Sequence, residues 1–306
     1  NGLGFAYMGL ARQAFTTGKN PTSAVRSALK YLKLSLSENA RLPFPHEAMA
    51  QIHLLSARYQ YAQEKSPQKS LQSAIQAAKR GLQSKPNYTA LYLHLASAYS
   101  LKARYTTNTS QANSFLNLAQ GFIQKALKIR PLLGRAHLLM SKLHLQRAQL
   151  PHDTKEMRLG QLNKAHEQLR LGSRSTPGLA QQLLTQVHYA HQRTLWAANH
   201  APKALQKAFD NWQHAINSVK SGASLPPELK AQQALLHMLR IRIALSSAPN
   251  GQKKTLKGKA QKARQLLQAA FKENQNLKRV YLHHLKVIDA LHQLKPENQP
   301  HPKKGK

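Results

Sequence analysis

The sequence contains no cysteine, which removes disulfides, thiolate zinc sites and cysteine nucleophiles together. That absence suits a reducing compartment, and a cytoplasmic location is expected. Acids are scarce as well: 11 Asp and Glu stand against 46 Lys and Arg, for a formal net charge of +35. The acids are scattered singly. Their one close pair, Asp153 and Glu156, lies in a turn and reads as an N-terminal helix signal, so catalysis by paired carboxylates has no candidate. No apolar run reaches the ~18 residues of a membrane span, since even Ala234 to Leu245 is broken by His237, Arg240 and Arg242. Glycine and β-branched residues are also sparse. What remains is rich in Leu, Ala, Gln, Lys and Ser, the composition of a chain that favours helix nearly everywhere.

Against that background a spaced pattern recurs. A small residue is followed four positions later by a large or apolar one and three later by another small one, often with proline five further on. It reads Ala74, Ala78, Gly81, Pro86; then Ala119, Ile123, Ala126, Pro131; then Ala165, Leu169, Gly172, Pro177. Copies without the proline are Ala28, Leu32, Ser35; Ala208, Trp212, Ala215; and Ala263, Leu267, Ala270. Positions three and four apart share one helix face, and small residues there admit a partner helix closely. Proline then stops the helix. Polar turns such as Thr106-Thr107-Asn108-Thr109 and Asn20-Pro21 separate this second helix from a first one, with Asn20 or Ser66 as caps.

The first helices identify what the pattern is similar to. Tyr92, Leu95-Ala96 and Tyr99 fall in the register of the tetratricopeptide family, and His137, Met140-Ser141 and His144 repeat it without the aromatic residues. Leu54-Leu55, Met8-Gly9, Met238-Leu239 and the segment from Tyr281 to Leu285 offer further copies. The departure is length: Leu95 to Ala119 is 24 residues, about three helical turns longer than in the usual 34-residue unit. The resemblance implies an all-α, right-handed α-solenoid of about six antiparallel hairpins with elongated helices, in units of roughly 41 to 51 residues, plus a C-terminal capping helix. Ala57-Arg58-Tyr59 and Ala103-Arg104-Tyr105, each followed by a turn and a second helix, resemble the long repeat regions carried C-terminally by large bacterial serine/threonine kinases. No Gly-rich phosphate loop, His-Arg-Asp or Asp-Phe-Gly is present, so no kinase activity is expected of this chain itself. Its opening, Asn1-Gly2-Leu3, suggests a segment of something longer.

The expected layout is a solenoid over residues 1–295, with a turn-rich break at 221–228 and a polar loop at 246–259, and a basic disordered tail over 296–306. No cofactor or small-molecule substrate is implied. The 16 His residues lack acids placed to complete a metal set. His53, His94 and His283 fall at one position of the repeat, which makes either a pH-responsive column or simple packing between hairpins. Tyr59, Tyr61, Tyr92, Tyr99 and Trp212 could stack on bases, or pack the hairpins.

Solenoids bind along their concave wall. The resemblance puts the residue after the Leu-small pair on that wall: Leu10, Ser56, Ser97, Lys142, His188, Arg240 and Lys286, joined by Arg135. A groove of Arg135, Lys142, His188, Arg240 and Lys286 suits a protein partner or acidic peptide. The expected function is therefore a protein–protein interaction scaffold. Self-association is a second reading, and electrostatic binding of nucleic acid or anionic membrane is the alternative.

Overall fold

The computed structural model describes residues 2–151, 154–173 and 253–292, with isolated positions between 183 and 194 and between 227 and 241. The copy at Ala208, Trp212 and Ala215, the break at 221–228 and the tail at 296–306 lie outside the described residues. Eight helices run in order from the N-terminus: α1 Gly2–Thr16, α2 Thr22–Glu38, α3 Pro43–Ala62, α4 Gln68–Ser84, α5 Thr89–Tyr105, α6 Thr109–Ile129, α7 Gly134–Arg147 and α8 Lys155–Ser173. After 252 come α9 Lys253–Glu273, a 3-10 turn Gln275–Leu277 and α10 Lys278–His292. No strand occurs among the described residues.

Consecutive helices pair as hairpins: α1 with α2, α3 with α4, α5 with α6 and α7 with α8. The small-large-small face is what each pair buries. Ala28, Ala74, Ala119, Ala165 and Ala263 are each 1% exposed or less, and Leu32, Ile123 and Leu267 are fully buried. Each large side chain so covered contributes about 1.5–3 kcal/mol. Gly81 and Gly172 close the motif where a methyl group has no room. A Cβ on Gly172 would lie 2.6 Å from Leu138 Cδ2 and 2.9 Å from the Gly134 carbonyl oxygen.

The joints between hairpins repeat as faithfully as the helices. Asn39, Lys85, Arg130 and Asn274 each donate a backbone N–H to the last small residue of the motif, Ser35, Gly81, Ala126 and Ala270 respectively. Each then accepts, through its carbonyl, from the residue three further on: Leu42, Tyr88, Leu133 and Leu277. These joints satisfy carbonyls that a helix end leaves free and set one common register for the helix that follows. At the other end of the hairpins, Asn20 Oδ1 accepts from the Thr22 N–H at 2.9 Å, and Asn108 Oδ1 accepts from the Gln111 N–H at 2.9 Å. The connection from α5 to α6 spans only Thr106 to Asn108, so the added length of the repeat lies in the helices, of which α6 has 21 residues.

Odd-numbered helices also touch one another across hairpins, α1 with α3, α3 with α5 and α5 with α7. The even-numbered helices make no comparable contacts with each other. A stack closer on its odd side curves toward that side, which makes α1, α3, α5 and α7 the inner wall. The C-terminal elements lie against the N-terminal hairpins: α10 and the turn before it reach α3. Gly18, at φ +75°, comes so near that a Cβ there would lie 2.8 Å from the Gln275 nitrogen. Of the polar segment 246–259, residues 253–259 form the first turns of α9. Lys and Leu there are good helix formers, and polarity alone does not unwind a helix.

Candidate functional site

The shared joints give a register independent of any hydrophobic pattern. Nine residues after Leu42, Tyr88, Leu133 and Leu277 stand Gln51, Ser97, Lys142 and Lys286. Lys142, Ser97 and Lys286 therefore do share one repeat position, whereas in α3 that position is Gln51 and not Ser56. Of the His53–His94–His283 column, His94 and His283 keep a common position, six residues after Tyr88 and Leu277, while in α3 that position is Ala48. His53 corresponds to Tyr99 and His144, while His46 corresponds to Tyr92 and His137. In the third and fourth hairpins these two columns pack on the second helix of their own hairpin. Tyr99 stacks on Phe122 at 5.7 Å between ring centroids, His144 Nδ1 lies 2.8 Å from Gln161 Oε1, and His137 Nδ1 lies 2.8 Å from Gln168 Oε1. Burial, with Lys33 adding to it, pushes His53 down to about 4. The side chain of His283 lies outside the described residues.

On the inner wall, α3, α5 and α7 enclose a cavity of ≈ 500 Å³. Arg135, Leu138, Leu139 and Lys142 reach it from α7 because spacings of three, four and seven keep side chains on one helix face. Leu93, His94 and Ser97 enter from α5, Arg58 from α3, and Leu183 and Gln186 complete it. No carboxylate stands among these lining residues. Arg58 remains accessible to solvent, yet surrounding protein holds its guanidinium below its usual range, with repulsion from Arg104 and Arg135 opposed by Tyr105. Open to water but enclosed on most sides is the situation of a side chain on a concave wall. Lys142 is half-buried, and its ammonium is pushed down to about 7, chiefly by burial and then by Arg58 and Arg104.

Of the groove residues expected from the repeat, Arg135 and Lys142 line one cavity, and Lys286 is exposed on α10. The side chains of His188 and Arg240 lie outside the described residues. Arg58 and Arg104 stand outside that expected set. A usable signal was present in their spacing: 46 residues separate them, the same interval as from Leu42 to Tyr88.

Beside the cavity, a polar network ties three helices together. Gln51 Oε1 accepts from Arg12 Nη2 at 3.1 Å, while Gln51 Nε2 lies 3.2 Å from Glu47 Oε1 and 3.3 Å from His94 Nε2. The Tyr88 hydroxyl donates to Glu47 Oε2. Hydrogen bonding to His94 is the largest cause holding the Glu47 carboxyl below its usual range, and Tyr88 adds to it. Burial lowers the His94 imidazole despite the carboxylate beside it. His94 Nε2 faces Glu47 Oε1 at 3.6 Å as well as Gln51 Nε2. Glu47 is thus satisfied within the wall. It acts on Arg135 through space without lining the cavity.

Among the described residues no three His, Asp or Glu side chains converge as a metal site, and no helix is long and apolar enough to cross a membrane. No protein-family model matches the sequence, and no curated protein matches it. Solved structures similar to it include a thermophilic TPR protein from Thermus thermophilus, at TM-score 0.49 and 15% identity over 76% of this chain and 98% of that one. Another is Nro1, a hypoxic regulator of sterol synthesis and nuclear import adaptor, at TM-score 0.49 and 16% identity over 92% of this chain and 91% of that one. Likenesses this distant leave the fold to rest on its own geometry, which is an all-α stack of antiparallel helix hairpins.

Proposed function

We propose that this chain is a protein-interaction scaffold whose inner wall receives an acidic segment of a partner protein. The observation that carries this reading is the cavity between α3, α5 and α7. Three cationic side chains enter it beside four leucines, and no carboxylate is among its described lining residues. Hydrophobic walls around fixed charge suit an extended acidic segment with apolar neighbours, because charge selects the partner and apolar burial adds affinity. Arg135, Lys142, His188, Arg240 and Lys286 remain the proposed groove, with Arg58 and Arg104 added at its centre. The context fits a non-catalytic region of a larger bacterial signalling protein such as a serine/threonine kinase, on the Ala-Arg-Tyr repeats at 57–59 and 103–105.

Anisotropy titrations with a labelled acidic, leucine-containing peptide and with random duplex DNA test the reading. Reversing Arg135 and Lys142 to Glu is expected to weaken the peptide by at least about tenfold, since each desolvated charge contact is worth roughly 2 kcal/mol or more. DNA binding, spread over the basic surface, changes far less. Unchanged peptide affinity in the double variant would sink the groove reading. DNA binding stronger than peptide binding, and falling steeply with salt, would favour the electrostatic alternative.

A further inference from the structure

Four cations converge at the centre of the inner wall. Arg58, Arg135 and Lys142 line the cavity, and Arg104 is near enough to Arg58 and Lys142 to repel both. They come from three different helices, so no single amphipathic pattern accounts for their meeting. The nearest acid acting on them, Glu47, is already held by Tyr88 and Gln51. Among the described residues, these four basic side chains therefore share a single carboxylate that other groups already hold.

A side-chain carboxylate presents two oxygens and a single negative charge. A phosphate monoester presents three oxygens and nearly two charges at neutral pH. The phosphate has one oxygen for each of a guanidinium from α3, a guanidinium from α7 and the Lys142 ammonium, and more charge to set against them, and arginine forks match phosphate oxygens in pairs. Leu93, Leu138, Leu139 and Leu183 supply apolar walls for the residues on either side of it.

We propose that the cavity is a phosphate-monoester site for a phosphorylated serine or threonine of the partner segment, held by Arg58, Arg135 and Lys142 with Arg104 behind them. This rests on the reading of the inner wall as the partner-binding face. It also makes binding proton-linked. Lys142, pushed down to about 7 in the free protein, takes up a proton when the dianion arrives, so affinity falls as pH rises from 7 to 9. The groups facing Lys142 are Arg58 on α3, Arg104 and the neutral His94 on α5, and Arg135 on its own helix.

The test uses three labelled peptide pools with degenerate flanks and a central phosphoserine, glutamate or serine. The phosphoserine pool is expected to bind about tenfold tighter than the glutamate pool. That advantage is expected to be lost in Lys142→Met and Arg58→Gln, with circular dichroism confirming that both are folded, and kept in Lys79→Met, an exposed position on α4 away from the inner wall. Equal binding of the phosphoserine and glutamate pools overturns the phosphate assignment and leaves the acidic-groove reading standing. If neither pool binds better than the serine pool, both readings fall. Selectivity for vesicles carrying phosphatidylinositol phosphate, with none among the peptides, overturns the assignment to a protein partner.

Discussion

Replacing Lys142 with methionine should stabilise the protein near pH 6 and have little effect near pH 10. In the folded chain the Lys142 ammonium sits half-buried beside Arg58 and Arg104 and is pushed down from 10.5 to about 7. In the unfolded chain it titrates normally. Between those two values the unfolded state binds the extra proton, so the stability of the wild type rises with pH across that window. Below about 7 the full cost of the charged side chain is present. A shift of this size corresponds to about 5 kcal/mol at 1.36 kcal/mol per unit. That is a ceiling, because Lys142 keeps part of its surface in water and solvent screens the remainder. A difference of about 1–2 kcal/mol is expected. Methionine keeps most of the side-chain volume, so lost packing is small. Denaturant unfolding of wild type and variant at pH 6, 7, 8, 9 and 10 measures the effect. Taking the difference between the two proteins at each pH cancels every other titrating group. A stability difference that does not vary with pH, or a variant less stable than wild type at pH 6, would refute the placement of Lys142 among uncompensated cations.

Gly172→Ala should cost about 1–3 kcal/mol by overpacking, since the new methyl meets Leu138 and the Gly134 carbonyl at under 3 Å. The matched control is Gly121→Ala in α6, where nothing lies within 4 Å and helix propensity favours alanine by up to about 1 kcal/mol; thermal melts of the pair should shift in opposite directions. Glu47→Gln should lower stability at pH 7 by about 1–3 kcal/mol. The Glu47 carboxyl is held below its usual range, so its contribution is present above the unfolded carboxylate range and disappears as pH falls through the lower folded value. Urea titrations should accordingly show wild type and Glu47→Gln converging in acid. Gly18→Ala places a side chain at φ +75° and against the Gln275 nitrogen, and should loosen the contact between the last hairpin and the first turn. Hydrogen exchange at the amides of Asn274 to Lys278 should then quicken while that of α5 and α6 stays unchanged.

The second helices were legible from sequence because their motif states a geometric requirement. Ala74, Ala78 and Gly81 must be small or apolar at spacings of four and three, or α3 and α5 could not approach α4. The first helices were legible in α5 and α7 and misplaced in α3, for a physical reason. Ala48, Ala50, Ile52, Leu54 and Ala57 are all buried, since α3 packs against α1, α2, α4, α5 and the turn before α10. A helix covered on so many sides has no single apolar stripe. Leu54-Leu55 therefore competes with Met49-Ala50 for the motif position, and only the hydrogen-bonded joint at Leu42 decides between them.

The inner-wall charge escaped the sequence for a related reason. In a chain with 46 basic residues, the presence of Arg58 or Arg104 at any one position carries no weight. Their meaning comes from the curl of the odd-numbered helices, which sets an arginine late in α3 facing a lysine in the middle of α7, 84 residues further on. Folding then does something composition does not require. It gathers cations into a space with no carboxylate among its described lining residues, while the nearby Glu47 is tied to Tyr88 and Gln51. Like charges brought together without a counterion lower stability, and surface positions for those residues were plentiful. An arrangement that works against the stability of the free protein is one that a bound anion relieves. If the proposed function holds, the cost to stability at Lys142 and the affinity for an acidic partner are two measurements of the same electrostatic deficit.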